Sequence, residues 1–360
     1  MLNVLEPRGE AAAIRDIVAS DIRPNLHAID RDGVYPETAM RRLGAAGAFS
    51  HHIGNSASDG GLDRAIAAMA EVGETCLSTA FCMWCQDALA WYLDRSDNDS
   101  LKRRMLPAVA SGTRLGGTGL SNPMKALAGI GRVALRGERV QGGYRVTGHL
   151  PWVSNLGDDH SFGAIFALAD GRLVMALIRC AADGVTLAQN AHFIALEGTR
   201  TFSVLLRDVF IPDGDIIAED ATAFLPRIRQ GFVLLQLGMA LGAARGAASI
   251  MESDASGRSA AAWLPHPPEA LRERAAALAK RASQLARSAD DPSRSAFLDV
   301  LRLRLDGSWL ALQATEAAAL QFGARGYLKG SDVDRRRREA LFVALITPSI
   351  KHITQELAAD

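Results

Sequence analysis

The hydrophobic period of this chain changes twice, and that order narrows the folds open to it. Through residues 1–113 apolar residues recur at helical spacing, as in Ala65, Ala68, Met69 and Val72. From 114 to 220 Gly, Val and Thr rise and short alternating runs take over, at 132–135, 144–146, 162–168, 173–178 and 201–206. Turn signals such as Asp170-Gly171 and Asp183-Gly184 separate them, which predicts an all-β segment. From 221 to 360 the pattern is helical again, with an amphipathic stretch at 270–287 and a long Leu/Ala-rich helix at 296–322. A β segment between two helical blocks predicts a segregated α+β fold, read here as three domains at 1–113, 114–220 and 221–360.

Composition excludes several classes. Hydrophobic residues make up 48% and charged residues 22%, enough apolar matter for a large core. The 40 basic residues balance 40 acidic ones, so no whole-chain attraction to nucleic acid is expected. No apolar run is read as reaching the roughly 18 residues of a membrane span, and the N-terminus has no apolar signal core. The expectation is a cytoplasmic protein without a membrane partner. Cys82 and Cys85 form a C-x-x-C flanked by Cys76, but the stretch 75–93 reads as one buried apolar helix in which Cys is a small hydrophobe. With no second C-x-x-C and no His pair at ligand spacing, no metal site is expected. Phe81, Trp84, Trp91 and Tyr92 on the same stretch read as core.

The most informative local stretch is 140–155, VQGGYRVTGHLPWVSN. Gly142-Gly143 between two β runs signals a hairpin. Its second strand carries Trp152 and Ser154, two residues apart and so on one side of the strand, with Asn155 next. This run resembles the middle domain of the acyl-CoA dehydrogenase flavoproteins, where such a Trp and a Ser/Thr pack against the flavin. An isoalloxazine ring needs a flat apolar wall on one face and hydrogen-bond donors on its polar edge. The resemblance extends from about residue 10 to 357. It implies a helical N-terminal domain, a middle β-barrel and a C-terminal four-helix bundle. It also implies FAD as cofactor and a homodimer or homotetramer, because the family completes its FAD site across subunits.

Further motifs fit the same family. Gly116-Gly117-Thr118-Gly119-Leu120-Ser121-Asn122-Pro123 resembles the turn that contacts the flavin's pyrimidine edge, with Leu120 and Ser121 on the contacting positions and backbone donors expected there. After the Pro the family's serine-bearing loop is replaced by Met124-Lys125-Ala126-Leu127-Ala128, a shortened loop that puts CoA recognition in question. The segment 197–212 resembles the end of the β-domain, two strands and a Pro-marked exit, with a structural role. Gln321 and Gly323 lie in a run similar to the loop that reaches the FAD adenosine and pyrophosphate of a neighbouring subunit, and Arg325 there is open to either a phosphate or solvent. Arg258 stands where the family has a pyrophosphate-binding Arg, although its Phe-Gly partner is missing. Ser349 falls among the implied cofactor-binding positions. The run Arg335–Arg338 matches a solvent-facing helix start.

The implied base is absent. The family removes the substrate α-proton with a Glu, and the matching position holds Thr347. Some members place that Glu on the first C-terminal helix, but 231–246 contains no carboxylate. Glu252, His352 and Glu356 are the nearby alternatives, and the catalytic residue is left unknown. Three readings stay open. The first is an FAD-dependent oxidoreductase acting on the CH–CH group of an acyl thioester or related small molecule, with a separate electron acceptor. The second is a monooxygenase on the same fold, using oxygen. The third is a catalytically silent flavin-binding or scaffold member.

Overall fold

A computed structural model describes residues 7–54, 60–254 and 263–359. The first block is helical: α1 Pro7–Ile17, α2 Leu26–Arg31, α3 Glu37–Ala45, α4 Gly61–Gly73, α5 Leu77–Arg95 and α6 Asp99–Ala110. Every residue of α5 from Leu77 to Leu93 is buried, as befits a helix apolar on all sides. Cys82 and Cys85 lie within it as free thiols that burial pushes well above their ordinary range. Its aromatics are core: Trp84 donates from Nε1 to the Phe232 carbonyl at 3.1 Å, and the rings of Phe81 and Phe342 meet at 4.6 Å.

The middle block holds β1 Gly116–Thr118, helix α7 Ser121–Leu127, β2 Leu135–Val140, β3 Gly143–Val153, β4 Ser161–Ala167, β5 Leu173–Arg179, β6 Val185–Ala188, β7 Phe202–Pro212 and β8 Ile216–Ala218. The sheet order is β6-β7-β3-β2-β4-β5-β8, with β1 pairing parallel to β4. The sheet curls about its own core of Leu135, Val146, Phe162, Phe166 and Val204 until β5 and β7 touch, but its end strands do not pair with each other. Three expectations change here. The run at 132–135 mostly precedes β2. The segment expected to form two strands after 197 is a short turn followed by the single strand β7. The expected loop at 124–128 is mostly helix α7, because Met, Lys, Ala and Leu after a Pro near the helix start all favour helix.

The last block contains α8 Ala221–Leu235, α9 Leu237–Ser253, α10 Pro268–Ala286, α11 Arg294–Phe322, α12 Asp332–Leu345 and α13 Ile350–Ala358. Its helices share one hydrophobic core with α4 and α5, including Met69, Trp91, Phe232, Leu241 and Leu301. At Gly242 a Cβ would stand 2.7 Å from the Gly73 backbone, so α4 and α9 cross with their backbones in contact. The 221–253 rod corrects the reading of apolar runs: by length and composition it would cross a membrane. With 83% of its most apolar window buried inside the fold, it is a core helix.

The arginine run is also corrected. Arg335 and Arg336 are buried rather than solvent-facing, and both donate to Glu339 at 3.0 Å. They also reach the Thr75 and Gly73 carbonyls, which fastens α12 to the α4–α5 joint. Arg338 pairs with Asp30 at 2.7 Å.

One buried pair sets a pH dependence. Asp87 is fully buried, neither of its carboxylate oxygens has a hydrogen-bond partner, and burial pushes its pKa well above the ordinary range. His52, 4.0 Å away, is pulled down to about 3 by burial. His52 therefore gives stability that is present above its unfolded value of about 6.5 and lost as pH falls towards 3. Asp87 gives stability that is present below its unfolded value of about 3.9 and lost as pH rises through its folded value. Asp87→Asn is expected to gain stability over the native chain between pH 5 and pH 8 in urea titrations. An unchanged difference at the two pH values would contradict a protonated Asp87.

Candidate functional site

The β2–β3 hairpin forms as expected, with Arg139 opposite Tyr144. Near the end of β3, Leu150 pairs with Val204 and Val153 with Phe202, so β3 carries one extra residue against β7. Pro151, which has no N–H to give, sits in this bulge, and bulges re-aim side chains. Trp152 beside it is 60% exposed, with the Phe193 ring edge-on at 6.0 Å. Ser154 follows just past the strand and is nearly buried.

The Gly-rich segment arrives at the same place. A Cβ on Gly117 would stand 2.1 Å from the Ser154 carbonyl oxygen, and one on Gly119 would stand 2.9 Å from Leu150 Cδ1. Only glycine lets this backbone lie against 150–154, and the chain then runs directly into Leu120 and Ser121. Gly117 and Gly119 therefore bring the segment that leads into Leu120 and Ser121 against Ser154 and Leu150. The expected backbone donor at Leu120 is not free, however. Its amide donates to Thr118 Oγ1 at 3.2 Å, and its carbonyl accepts from the Met124 amide. Gly119 likewise donates to the Gly163 carbonyl.

Asn155 holds the two blocks in register. It adopts φ +62°, which Asn tolerates better than most residues, and its amide donates to the Thr199 carbonyl at 2.9 Å. Its side chain accepts from Tyr35 Oη at 2.5 Å and donates to the Gly116 carbonyl at 2.6 Å. Thr199 and Thr201 lie in a segment expected to be purely structural, but Thr201 bonds to Ser154 and Thr199 to Thr201: Ser154 Oγ lies 2.6 Å from Thr201 Oγ1, which lies 2.8 Å from Thr199 Oγ1. The T-x-T spacing at 199–201 was the available signal.

The remaining positions sit elsewhere. Gln321 and Gly323 end α11 and are not part of this cluster. Gln321 donates to the Met251 carbonyl at 2.8 Å, and its buried Oε1 has no partner. Gly323 takes φ +56° as the helix cap. Arg325 pairs with Asp254 at 2.9 Å. Arg258 lies outside the described residues. Ser349 caps α13, accepting from the His352 amide at 3.3 Å.

Thr347 is buried, and its carbonyl accepts from Gln236 Nε2 at 2.9 Å. Gln236 in turn accepts from Arg304 Nε at 2.7 Å. Arg304 is fully buried, its other donors go to Ser308 and the Val343 carbonyl, and burial pulls it down to about 10. The family's base position therefore neighbours a buried cation held by neutral acceptors. Of the alternative carboxylates, Glu252 is paired with Arg272 at 2.5 Å, which holds it low. Glu356 is hydrogen-bonded to buried His352 at 3.1 Å, which lowers its pKa, as do Arg294 and Arg229. Glu356 also lines a cavity of about 420 Å³ with Met124, Leu127, Leu225, Arg229 and Arg294. Met124 and Leu127 belong to α7, which Ser121 opens.

An exposed indole near the end of β3, with a buried hydroxyl two residues on, is the pair that the family resemblance assigns to the flat ring and polar edge of a flavin. Two helical blocks around the sheet give the protein an α+β architecture. The chain is similar to the acyl-CoA dehydrogenase family. The family model described as "Acyl-CoA dehydrogenase, N-terminal domain" matches residues 9–113. A short-chain-specific acyl-CoA dehydrogenase of Clostridium acetobutylicum is 24% identical over 351 residues, covering 91% of this chain and 90% of its own. Other curated relatives are matched over 52% to 66% of their length. Butyryl-CoA dehydrogenase from Megasphaera elsdenii superposes with a TM-score of 0.84 at 17% identity, covering 100% of this chain and 99% of that one. A nitrososynthase from Micromonospora carbonacea var. africana superposes with a TM-score of 0.78 at 18% identity, covering 99% and 98%. At these identities the two structures bear on the fold alone.

Proposed function

We propose that the protein binds FAD with the ring against Trp152 and its polar edge at Ser154, and oxidises the CH–CH group of an acyl thioester or related small molecule. The observation that supports this reading is the packing of Gly117 against Ser154 and of Gly119 against Leu150. Bound flavin supplies two-electron redox chemistry. Trp152 covers one ring face, while Ser154 and Ser121 meet the polar edge. The 420 Å³ cavity beside α7 receives the substrate: Met124, Leu127 and Leu225 suit an apolar chain, and Arg229 and Arg294 suit an anionic arm. Glu356, ionised on the cavity wall, is the carboxylate placed to accept a proton. Gln321, Gly323, Arg258 and Ser349 complete the site in a homodimer or homotetramer acting in the cytoplasm, with a partner electron acceptor.

A second reading is favoured by Thr347 and its neighbours. Thr347 where the family places its base, joined through Gln236 to a buried Arg304, suits a monooxygenase, which needs no such base. Anaerobic addition of a panel of acyl-CoAs separates the two. Bleaching of the bound flavin is expected, and Glu356→Gln should slow it on the order of 100-fold or more if Glu356 accepts the proton. Flavin indifferent to every acyl-CoA, with oxygen consumed when reduced flavin is supplied, would establish the monooxygenase. Indifference to both would leave the scaffold reading.

A further inference from the structure

Arg229, on the wall of the 420 Å³ cavity, is a cation only partly provided for. Its Nη2 donates to the Pro292 and Ser293 carbonyls at 2.9 and 3.3 Å, and its guanidinium carbon lies 4.5 Å from the centre of the Phe297 ring. These contacts, from the start of α11 and the residues before it, fix the plane of the group. Its Nε is buried and has no hydrogen-bond partner. Glu356, the carboxylate of the same cavity, is engaged elsewhere, by Arg294 at 3.6 Å and His352 at 3.1 Å. Burial lowers the Arg229 pKa, Glu356 raises it and Arg294 lowers it, with the net shift downward, so the group is short of negative charge.

The rest of the cavity says what kind of anion fits. Leu127, Leu225 and Phe297 give it an apolar wall, while Arg229, Arg294 and Glu356 are its charged residues. Two cations and one carboxylate leave a single positive charge in excess. A group with several phosphates would set its surplus charge against Glu356, whereas one carboxylate matches. Resting on the reading of this cavity as the substrate's, we infer that the substrate carries a free carboxylate on an apolar body and that Arg229 anchors it. A guanidinium held in a fixed plane binds a carboxylate through charge-assisted hydrogen bonds, and the apolar wall shields them from water. The phosphates of coenzyme A have no place in this cavity.

The test is a ligand-observed NMR titration of the full-length protein with hexanoate, and with hexanol as its neutral match, in the presence and absence of FAD. Hexanoate is expected to bind at least about tenfold more tightly than hexanol, the worth of one hydrogen bond to a charged group. Arg229→Met should erase that preference. Leu127→Glu, at a half-exposed residue of the same wall, should weaken hexanoate more than hexanol and guards against a misfolded Arg229→Met. Coenzyme A and inorganic phosphate should fail to displace hexanoate. Equal binding of hexanoate and hexanol, an unchanged preference in both variants, or displacement by coenzyme A or phosphate overturns the inference. FAD retention without hexanoate binding overturns this inference alone. Hexanoate binding by a protein that retains no FAD upholds it and overturns only the flavin reading.

Discussion

Glu339→Ala should destabilise the protein by about 3–5 kcal/mol, the cost of leaving buried charge unpaired. Glu339 is 2% exposed and accepts from both Arg335 and Arg336, as well as from the Leu77 amide at 3.3 Å. Burial pulls the Arg336 guanidinium down and Arg335 pushes the same way, so the carboxylate offsets two like charges. The α12 contact with the α4–α5 joint is expected to open first, because Gly73, Thr75 and Leu77 all take part in the network. Urea titration followed by circular dichroism measures the loss. A loss below about 1 kcal/mol, the worth of a surface ion pair, would contradict a structural role for the buried network.

Trp152→Ala combined with Ser154→Ala should weaken FAD binding on the order of 100-fold while the β segment stays folded. Stacking on an aromatic ring is worth about 1–3 kcal/mol and a hydrogen bond about 0.5–1.5 kcal/mol, and each 1.4 kcal/mol is about tenfold. The cost to folding should be small, because Trp152 is already 60% exposed and Ser154 sits past the end of β3. Equilibrium FAD titration gives the affinity, and near-ultraviolet circular dichroism reports the fold. Unchanged affinity would remove these residues from the site.

How legible all this was depended on whether side chains or backbones made the contact. The hairpin, α5 and the long α11 announced themselves because their apolar periods and turn residues act locally. Strand β1 did not, since Gly116-Gly117-Thr118 has little β propensity and is a strand only because its backbone lies against Ser161 and Ser154. The arginine run was misread for a related reason. Four charges in a row look solvated unless Glu339 is known to pair with two of them across helical turns that also touch α4 and α5. In the candidate site, Trp152 and Ser154 were expected on one side of a strand, but a bulge at 150–153 and the end of β3 at Val153 break that alternation. The part played by Thr199 and Thr201 was signalled only by their T-x-T spacing, because it depends on a turn far along the chain returning to Ser154. Thr347 was readable as a loss. What replaces the carboxylate, Gln236 bridging to a buried Arg304, emerges only when three separated helical segments are packed together.

The most direct test of flavin-dependent redox chemistry is the absorption spectrum of the purified protein, before and after reconstitution with FAD. The account predicts a bound-flavin band near about 450 nm that is retained on gel filtration and lost in the Trp152→Ala, Ser154→Ala variant. A folded protein that stays colourless and fails to retain added FAD would contradict it.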